Sequence, residues 1–176
     1  MKKFCISLIC LSIIVLTMVL GANANKPKEE YLRIHIRANS NEEQDQSVKY
    51  AVRDSIIDYL TPLIVECKTK KALQNTLKQH ILELERVADG VLSNAGFDYK
   101  SKVKITAEEF PTRVYQDLTL MAGYYDAIIV NLGTGEGNNW WCVAYPPLCF
   151  TGEESGSFKY KSKIAEIISE WRKTYF

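Results

Sequence analysis

From Tyr31 to Arg37 the side chains alternate, with Leu32, Ile34 and Ile36 on one side and Arg33, His35 and Arg37 on the other. A period of two predicts a half-buried strand whose basic face meets solvent. Ala38-Asn39-Ser40-Asn41 breaks the pattern, and Ser40 or Asn41 is expected to cap a helix with Glu42, Glu43 and Asp45 in its first turns. Val48, Val52, Ile56, Tyr59 and Leu63 then recur at helical spacing, and Pro62 is expected to kink or end the helix within its last turn. Thr69 is placed to cap a second helix with a stripe of Leu73, Leu77, His80, Ile81, Leu84, Val87 or Ala88, and Val91. Gly96 suits the left-handed position just past its end.

Beyond Tyr99 the period returns to two, with Val103 and Ile105 alternating with Lys102, Lys104 and Thr106. Phe110 to Tyr115 reads as a bend and a short strand. Tyr124 to Leu132 has the apolar centre Ala127-Ile128-Ile129-Val130, which predicts a strand in the interior of the sheet. Trp140 to Tyr145 is the last strand, ended by Pro146 and Pro147. Strand, helix, helix and then three or four strands predicts a single α+β domain over residues 25–150, a mainly antiparallel sheet with two helices on one face. Thr151 to Ser157 reads as a linker. In the remainder of 151–176, Ile164, Ile167, Ile168 and Trp171 form an amphipathic helix flanked by Lys161, Lys163, Arg172 and Lys173, expected to pack back onto the domain.

The first 24 residues change the picture. Lys2 and Lys3 precede an uncharged apolar run from Phe4 to Leu20, and Ala22-Asn23-Ala24 offers the small residues of a cleavage site. This predicts a secretory signal peptide, with an uncleaved anchor as the rival. Loss of residues 1–24 removes those two lysines and no acid, taking the formal net charge from +1 to −1. Near-neutrality argues against nucleic acid as the partner. Cys5 and Cys10 leave with the leader, so Cys67, Cys142 and Cys149 remain in an oxidising compartment. One pair and one buried thiol is the simplest arrangement. Cys142 with Cys149 across the Pro-Pro turn is one version, and Cys67 with either of them is the other.

Gly133-x-Gly135-x-Gly137 lacks the Gly-Lys-Ser/Thr ending of a phosphate loop, and a strand follows it where a helix N-terminus would be needed. A cysteine nucleophile with His35 as base is weakened by the solvent-facing place of His35 and by any pairing of the cysteines. No close-spaced ligand pair marks a zinc site, and neither Glu136 nor Asp126 is distinguished as a hydrolytic carboxylate. No catalytic residue, cofactor or metal is therefore assigned. What remains is aromatic. Trp140 and Trp141 must alternate across their strand, so they either plug the end of a core or anchor a protein interface. The candidate partner-binding set is Gly135, Gly137, Asn139, Trp140 and Trp141, with Arg113 and Tyr124 as supporting contacts.

Four blocks carry a family resemblance: Leu32 to Ser40, Phe110-Pro111-Thr112-Arg113, Ala122 to Ala127, and Asn139-Trp140-Trp141-Cys142 through Pro146-Pro147-Leu148-Cys149. In order and spacing they resemble the stage II sporulation protein R family of endospore-forming Firmicutes. Met121 departs from that pattern, which has proline there, and the tail after Thr151 is not covered. The resemblance implies a non-enzymatic signal made in the forespore and exported to the space between the two sporulation membranes. There it triggers a membrane-embedded aspartic protease of the mother cell to process the precursor of sigma factor E. It implies membrane contact only through that partner, with no nucleic acid and no small-molecule substrate. The alternative from another class is an extracytoplasmic cell-wall hydrolase.

The leader yields a direct expectation. Intact-mass analysis of exported protein should give a chain beginning at Asn25, and retention of residues 1–24 would replace a released signal with a tethered one.

Overall fold

The computed structural model describes residues 30–115, 118–150 and 167–174. The leader, the 151–157 linker, Lys161, Lys163 and Ile164 lie outside the described residues. Strand β1 (Leu32–Arg37) is followed by helices α1 (Glu43–Glu66), α2 (Lys70–Gln79) and α3 (Ile81–Asn94). Strands β2 (Ser101–Phe110), β3 (Arg113–Tyr115), β4 (Leu118–Leu120), β5 (Gly123–Leu132) and β6 (Asn139–Tyr145) come next, and a 3-10 turn spans Leu148–Phe150. Residues 167–174 form a further helix, α4. Among the described residues no helix is long and apolar enough to cross a membrane.

The main sheet has the order β2-β5-β1-β6, and β3 with β4 makes a separate two-stranded sheet. β1 runs parallel to β5 and antiparallel to β6, while β2 is antiparallel to β5. This is the expected α+β domain with a mainly antiparallel sheet, and β5 is interior as its apolar centre predicts. Leu32, Ile34, Ile36, Val103, Ile128, Val130, Leu132 and Ala144 face the helices and form one core with Val52, Ile56, Leu60, Ile64, Leu73, Leu77, Leu84, Ala88 and Leu92.

The opposite face is where the expectation for β1 fails. Arg33 and His35 do not meet solvent: they are 0% and 4% exposed. A second core of Tyr31, Phe110, Leu120, Tyr125, Ala127, Ile129, Val143 and Trp171 covers that face. Alternation identified which residues share a side, but it could not reveal that the β3–β4 hairpin and α4 cover it. Trp171 of α4 makes an edge contact with Tyr31, ring centres 5.9 Å apart.

The helices differ in detail from their periodic reading. The residue before α1 is Glu42, without a side-chain cap, because Ser40 Oγ accepts only from Glu42 N (3.1 Å) and Asn41 Oδ1 is taken by Asn138 N (2.7 Å). The buried stripe of α1 is Val48, Val52, Ile56, Leu60 and Ile64, with Tyr59 and Leu63 at its margin. Helix α1 continues past Pro62 to Glu66, while Thr61 Oγ1 donates to Ile57 O at 2.7 Å in the preceding turn. The second expected helix is two helices that meet at His80, whose Nδ1 is bonded to the Tyr59 hydroxyl at 2.5 Å. Thr69 does cap α2, accepting from Ala72 N at 3.1 Å, and Gly96 has φ +83° just past α3.

β5 and β6 are consecutive in sequence but β1 lies between them, so residues 133–138 must cross the chain leaving β1. They cross it at contact distance. Gly137 N donates to Ala38 O (2.9 Å), Glu136 N to Asn39 O (3.3 Å) and Thr134 N to Asn39 Oδ1 (3.0 Å). Asn39 Nδ2 donates in turn to Asp45 Oδ2 (2.9 Å), whose other oxygen accepts from the Tyr99 hydroxyl (2.5 Å). Burial raises the Asp45 carboxyl, but hydrogen bonds from Ser40, Tyr99 and Asn39 outweigh it and hold the group below its ordinary value. A Cβ at Gly137 would stand 2.1 Å from Ser40 O, a backbone atom that cannot swing aside. Gly137→Ala should therefore cost about 1–3 kcal/mol. Gly90, exposed in α3 with nothing within 4 Å of an added Cβ, should on conversion to Ala gain about 0.5–1 kcal/mol. Urea denaturation of the two variants checks both signs.

Candidate functional site

Register dictates the site. In the β1–β6 ladder Ile36 is opposite Trp140 and His35 is opposite Trp141. The two indoles therefore leave opposite faces of β6, and both are half-buried. Trp140 packs at the margin of the helical core, with the Arg53 guanidinium 5.8 Å from its ring centre. That guanidinium also lies 5.0 Å from the ring of Tyr50, which is 45% exposed. Trp141 stacks on His35 (5.4 Å, 29° between planes), and the Arg113 guanidinium lies 4.1 Å from its ring centre. Each tryptophan thus bridges a core and a surface arginine, an arrangement neither of the two expected extremes described.

The structure brings Arg113 to Trp141 but not Tyr124. In β5, Tyr125, Ala127 and Ile129 point to the second core, so Tyr124 falls on the helical side by alternation. Asn139 is exposed at the start of β6. Gly135 and Gly137 belong to the crossing loop and pack against their own chain, Gly135 beside Asn131 and Gly137 beside Ser40. Cys142 and Cys149 stand at disulfide separation, with Cα atoms 6.1 Å apart, and Cys67 is a free buried thiol. Val143 N donates to Cys149 Sγ at 3.1 Å, so the 3-10 turn covers part of the free edge of β6. The Asn139–Trp141 end of that edge lies beyond this cover.

Sequence reasoning missed the cluster under Trp141. Arg33 is enclosed by rings, its Cζ 4.2 Å from the centre of Phe110, 4.9 Å from Tyr125 and 5.7 Å from Tyr115. Its Nη2 donates to the Tyr115 hydroxyl at 2.7 Å. Burial lowers the guanidinium's pKa and the Tyr115 contact partly offsets this. Glu108 accepts from His35 Nδ1 (2.9 Å) and also binds Arg37. Burial, with Arg37, Arg33 and Lys104 nearby, lowers His35 to about 4 against a weaker opposing contribution from Asn139. A cysteine–histidine pair is excluded by the same alternation: Cys142 shares its face with Trp140 and Ala144, whereas His35 faces Trp141. Among the described residues no group of three or more His, Cys, Asp or Glu is arranged to hold a metal.

The family described as stage II sporulation protein R (spore_II_R) matches residues 28–155. The stage II sporulation protein R of Bacillus subtilis (strain 168) is 31% identical over 128 residues, covering 73% of this chain. Those residues are 57% of the relative, so the chain spans little more than half of its length. No solved structure matches.

The His35 environment predicts a pH dependence. With a folded pKa of about 4, the unfolded chain takes up the proton first, at about 6.5. The contribution of the neutral ring is therefore complete above about pH 6.5 and is lost as pH falls toward 4. The stability gap between wild type and His35→Gln should narrow by roughly 1–2 kcal/mol from pH 7.5 to pH 5. Urea midpoints at the two pH values measure it, and a constant gap would mean an unshifted imidazole.

Proposed function

We propose a function from a plain premise: the chain belongs to the stage II sporulation protein R family. It is a sporulation signal, exported to the space between forespore and mother cell, that activates a membrane-embedded aspartic protease there. The protease then processes the precursor of sigma factor E. The domain acts as a ligand and performs no chemistry of its own.

The observation that best supports this reading is the end of β6 that is uncovered among the described residues. Trp140 and Trp141 project from its two faces, each half-buried and each beside a surface guanidinium. A partner that grips the strand edge at Asn139–Trp141 meets both indoles at once, which a partner lying on either face of the sheet could not do. Aromatic and arginine side chains of this kind dominate protein interfaces, because they offer large area at small entropic cost. The loop that presents them is held by Asn39, Asn41 and Lys49, whose Nζ donates to Asn138 O at 3.1 Å. Little ordering cost therefore remains for binding.

Reconstitution of the exported domain with the candidate protease and the sigma factor precursor tests the proposal. Trp140→Ala should lower Tm by only a few degrees, yet weaken activation by about 30-fold, the equivalent of a 2 kcal/mol anchor. Trp141→Ala should lose both stability and activity, since His35 and Arg113 rest on it. Wild-type activation by a folded Trp140→Ala/Arg113→Ala variant would place the contact on another surface. Cleavage of peptidoglycan by the purified domain would instead favour a hydrolase.

A further inference from the structure

We propose that the uncovered end of β6 receives an extended, acidic segment of a partner protein as an added strand. The inference rests on the reading that this edge meets a partner, and it specifies how. β6 is at the margin of the sheet, so the backbone groups on its outer side have no ladder to join. Their direction follows from Val143, whose N–H points away from β1 to Cys149 Sγ. The register is unbroken from Arg33↔Val143 to Arg37↔Asn139, so alternation turns the N–H and C=O of Trp141 and Asn139 outward as well. Ala38 O, in phase with Ile34 and Ile36, accepts from Gly137 N just before β6, which gives the same phase from the β1 side. Among the described residues nothing bonds to those outward groups. The opening has two ends. Asn138 is bonded through N to Asn41 Oδ1 and through O to Lys49 Nζ, and Val143 N is taken by Cys149 Sγ. Asn139 and Trp141, each offering an N–H and a C=O, are left between them for a short incoming strand.

The chemistry of that strand follows from what flanks the edge. The Arg53 guanidinium is 5.8 Å from the Trp140 ring centre on one face, and the Arg113 guanidinium is 4.1 Å from that of Trp141 on the other. Arg53 shares the exposed carboxylate of Asp54 (2.7 Å), and Arg113 has no carboxylate partner among the described residues. Lys49, buried at the entrance to β6, is bonded to Gln46 Oε1 and Asn138 O and, among the described residues, to no carboxylate. Successive side chains of an added strand point to opposite faces. Acids at adjacent positions therefore reach the two guanidiniums while the backbone between them bonds to Asn139 and Trp141. A second copy of this chain fits less well, because edge-to-edge pairing in either direction sets guanidinium against guanidinium.

The test uses the full exported protein labelled with ¹⁵N, in two arms. In the first, amide exchange is followed in the free protein and in its complex with the candidate protease in detergent. The Asn139 and Trp141 amides should exchange freely alone and slow by about tenfold or more in the complex. The Trp140 and Cys142 amides, which face β1, should be protected in both. Asn139→Pro removes an outward N–H and no bond to β1, and should weaken the complex about tenfold beyond Asn139→Ala at matched Tm. If Asn139→Pro does not fold, the exchange data decide. Unchanged exchange at Asn139 and Trp141 in a formed complex overturns strand addition and leaves the partner reading standing. Protection already present in the free protein also overturns the proposal. Independent of protein concentration, it gives the edge to this chain's own segment after Phe150; rising with concentration, it gives the edge to a second copy. The second arm needs no protease: capped Thr-Val-Asp-Glu-Val-Thr should shift the Asn139 and Trp141 amide signals saturably. An equal response to its Asn-Gln form overturns the acidic character. An equal response to the form N-methylated at Asp and Glu overturns the backbone pairing. If no protease complex forms, the partner reading fails, and absence of a shift at about 10 mM peptide then overturns the strand proposal as well.

Discussion

The position of β1 constrains everything else. It lies between β5 and β6, two strands that follow one another in sequence, so the chain must pass from one side of β1 to the other across its exit. That crossing brings backbone onto backbone at Gly137 and Ser40, where a Cβ would leave no room. The alternating glycines of residues 133–137 are the local answer to a topological demand. Asn39 completes the crossing with both its backbone and its side chain, linking the loop to Asp45 at the start of α1. The loop, the first strand and the first helix are consequently one mechanical unit.

A strand in that position is buried on both sides, and its two sides are chemically unlike. One gives Leu32, Ile34 and Ile36 to the helical core at no electrostatic cost. The other places two basic side chains in an aromatic interior. The chain handles them differently: His35 stays neutral and donates to Glu108, whereas Arg33 cannot shed its proton and is surrounded by ring faces instead. Ring quadrupoles recover part of the lost hydration, but they leave two N–H groups open. This is a weak point for stability.

The aromatic edge inherits its geometry from these two facts. Trp141 is opposite His35 because the β1–β6 register says so, and it rests on the second core, where Arg113 of the hairpin reaches it. Trp140, one residue earlier, looks toward α1 and Arg53. At the far end of the same strand, Cys142, Cys149 and the 3-10 turn cover the edge. The strand is therefore closed at one end and aromatic at the other, and the chain's family is one of sporulation proteins.

Periodicity alone determined the elements that repeat often enough to be read: β1, α1, β2, β5 and β6, the Thr69 cap, the Gly96 stop and the interior place of β5. The blocks around Arg33, Arg113 and Trp140-Trp141-Cys142 also pointed to the family, because uncommon residues in a fixed order and spacing are more specific than a pattern of apolar positions. Tertiary structure decided what covers each face. His35 and Arg33 looked solvent-exposed because alternation defines a side without saying whether anything packs there. The split of the second helix at His80 depends on Tyr59, 21 residues away, and the use of Gly137 depends on Ser40 in a distant connection. Such contacts join segments whose separation in sequence carries no local signal. Only the folded chain brings them within hydrogen-bonding distance.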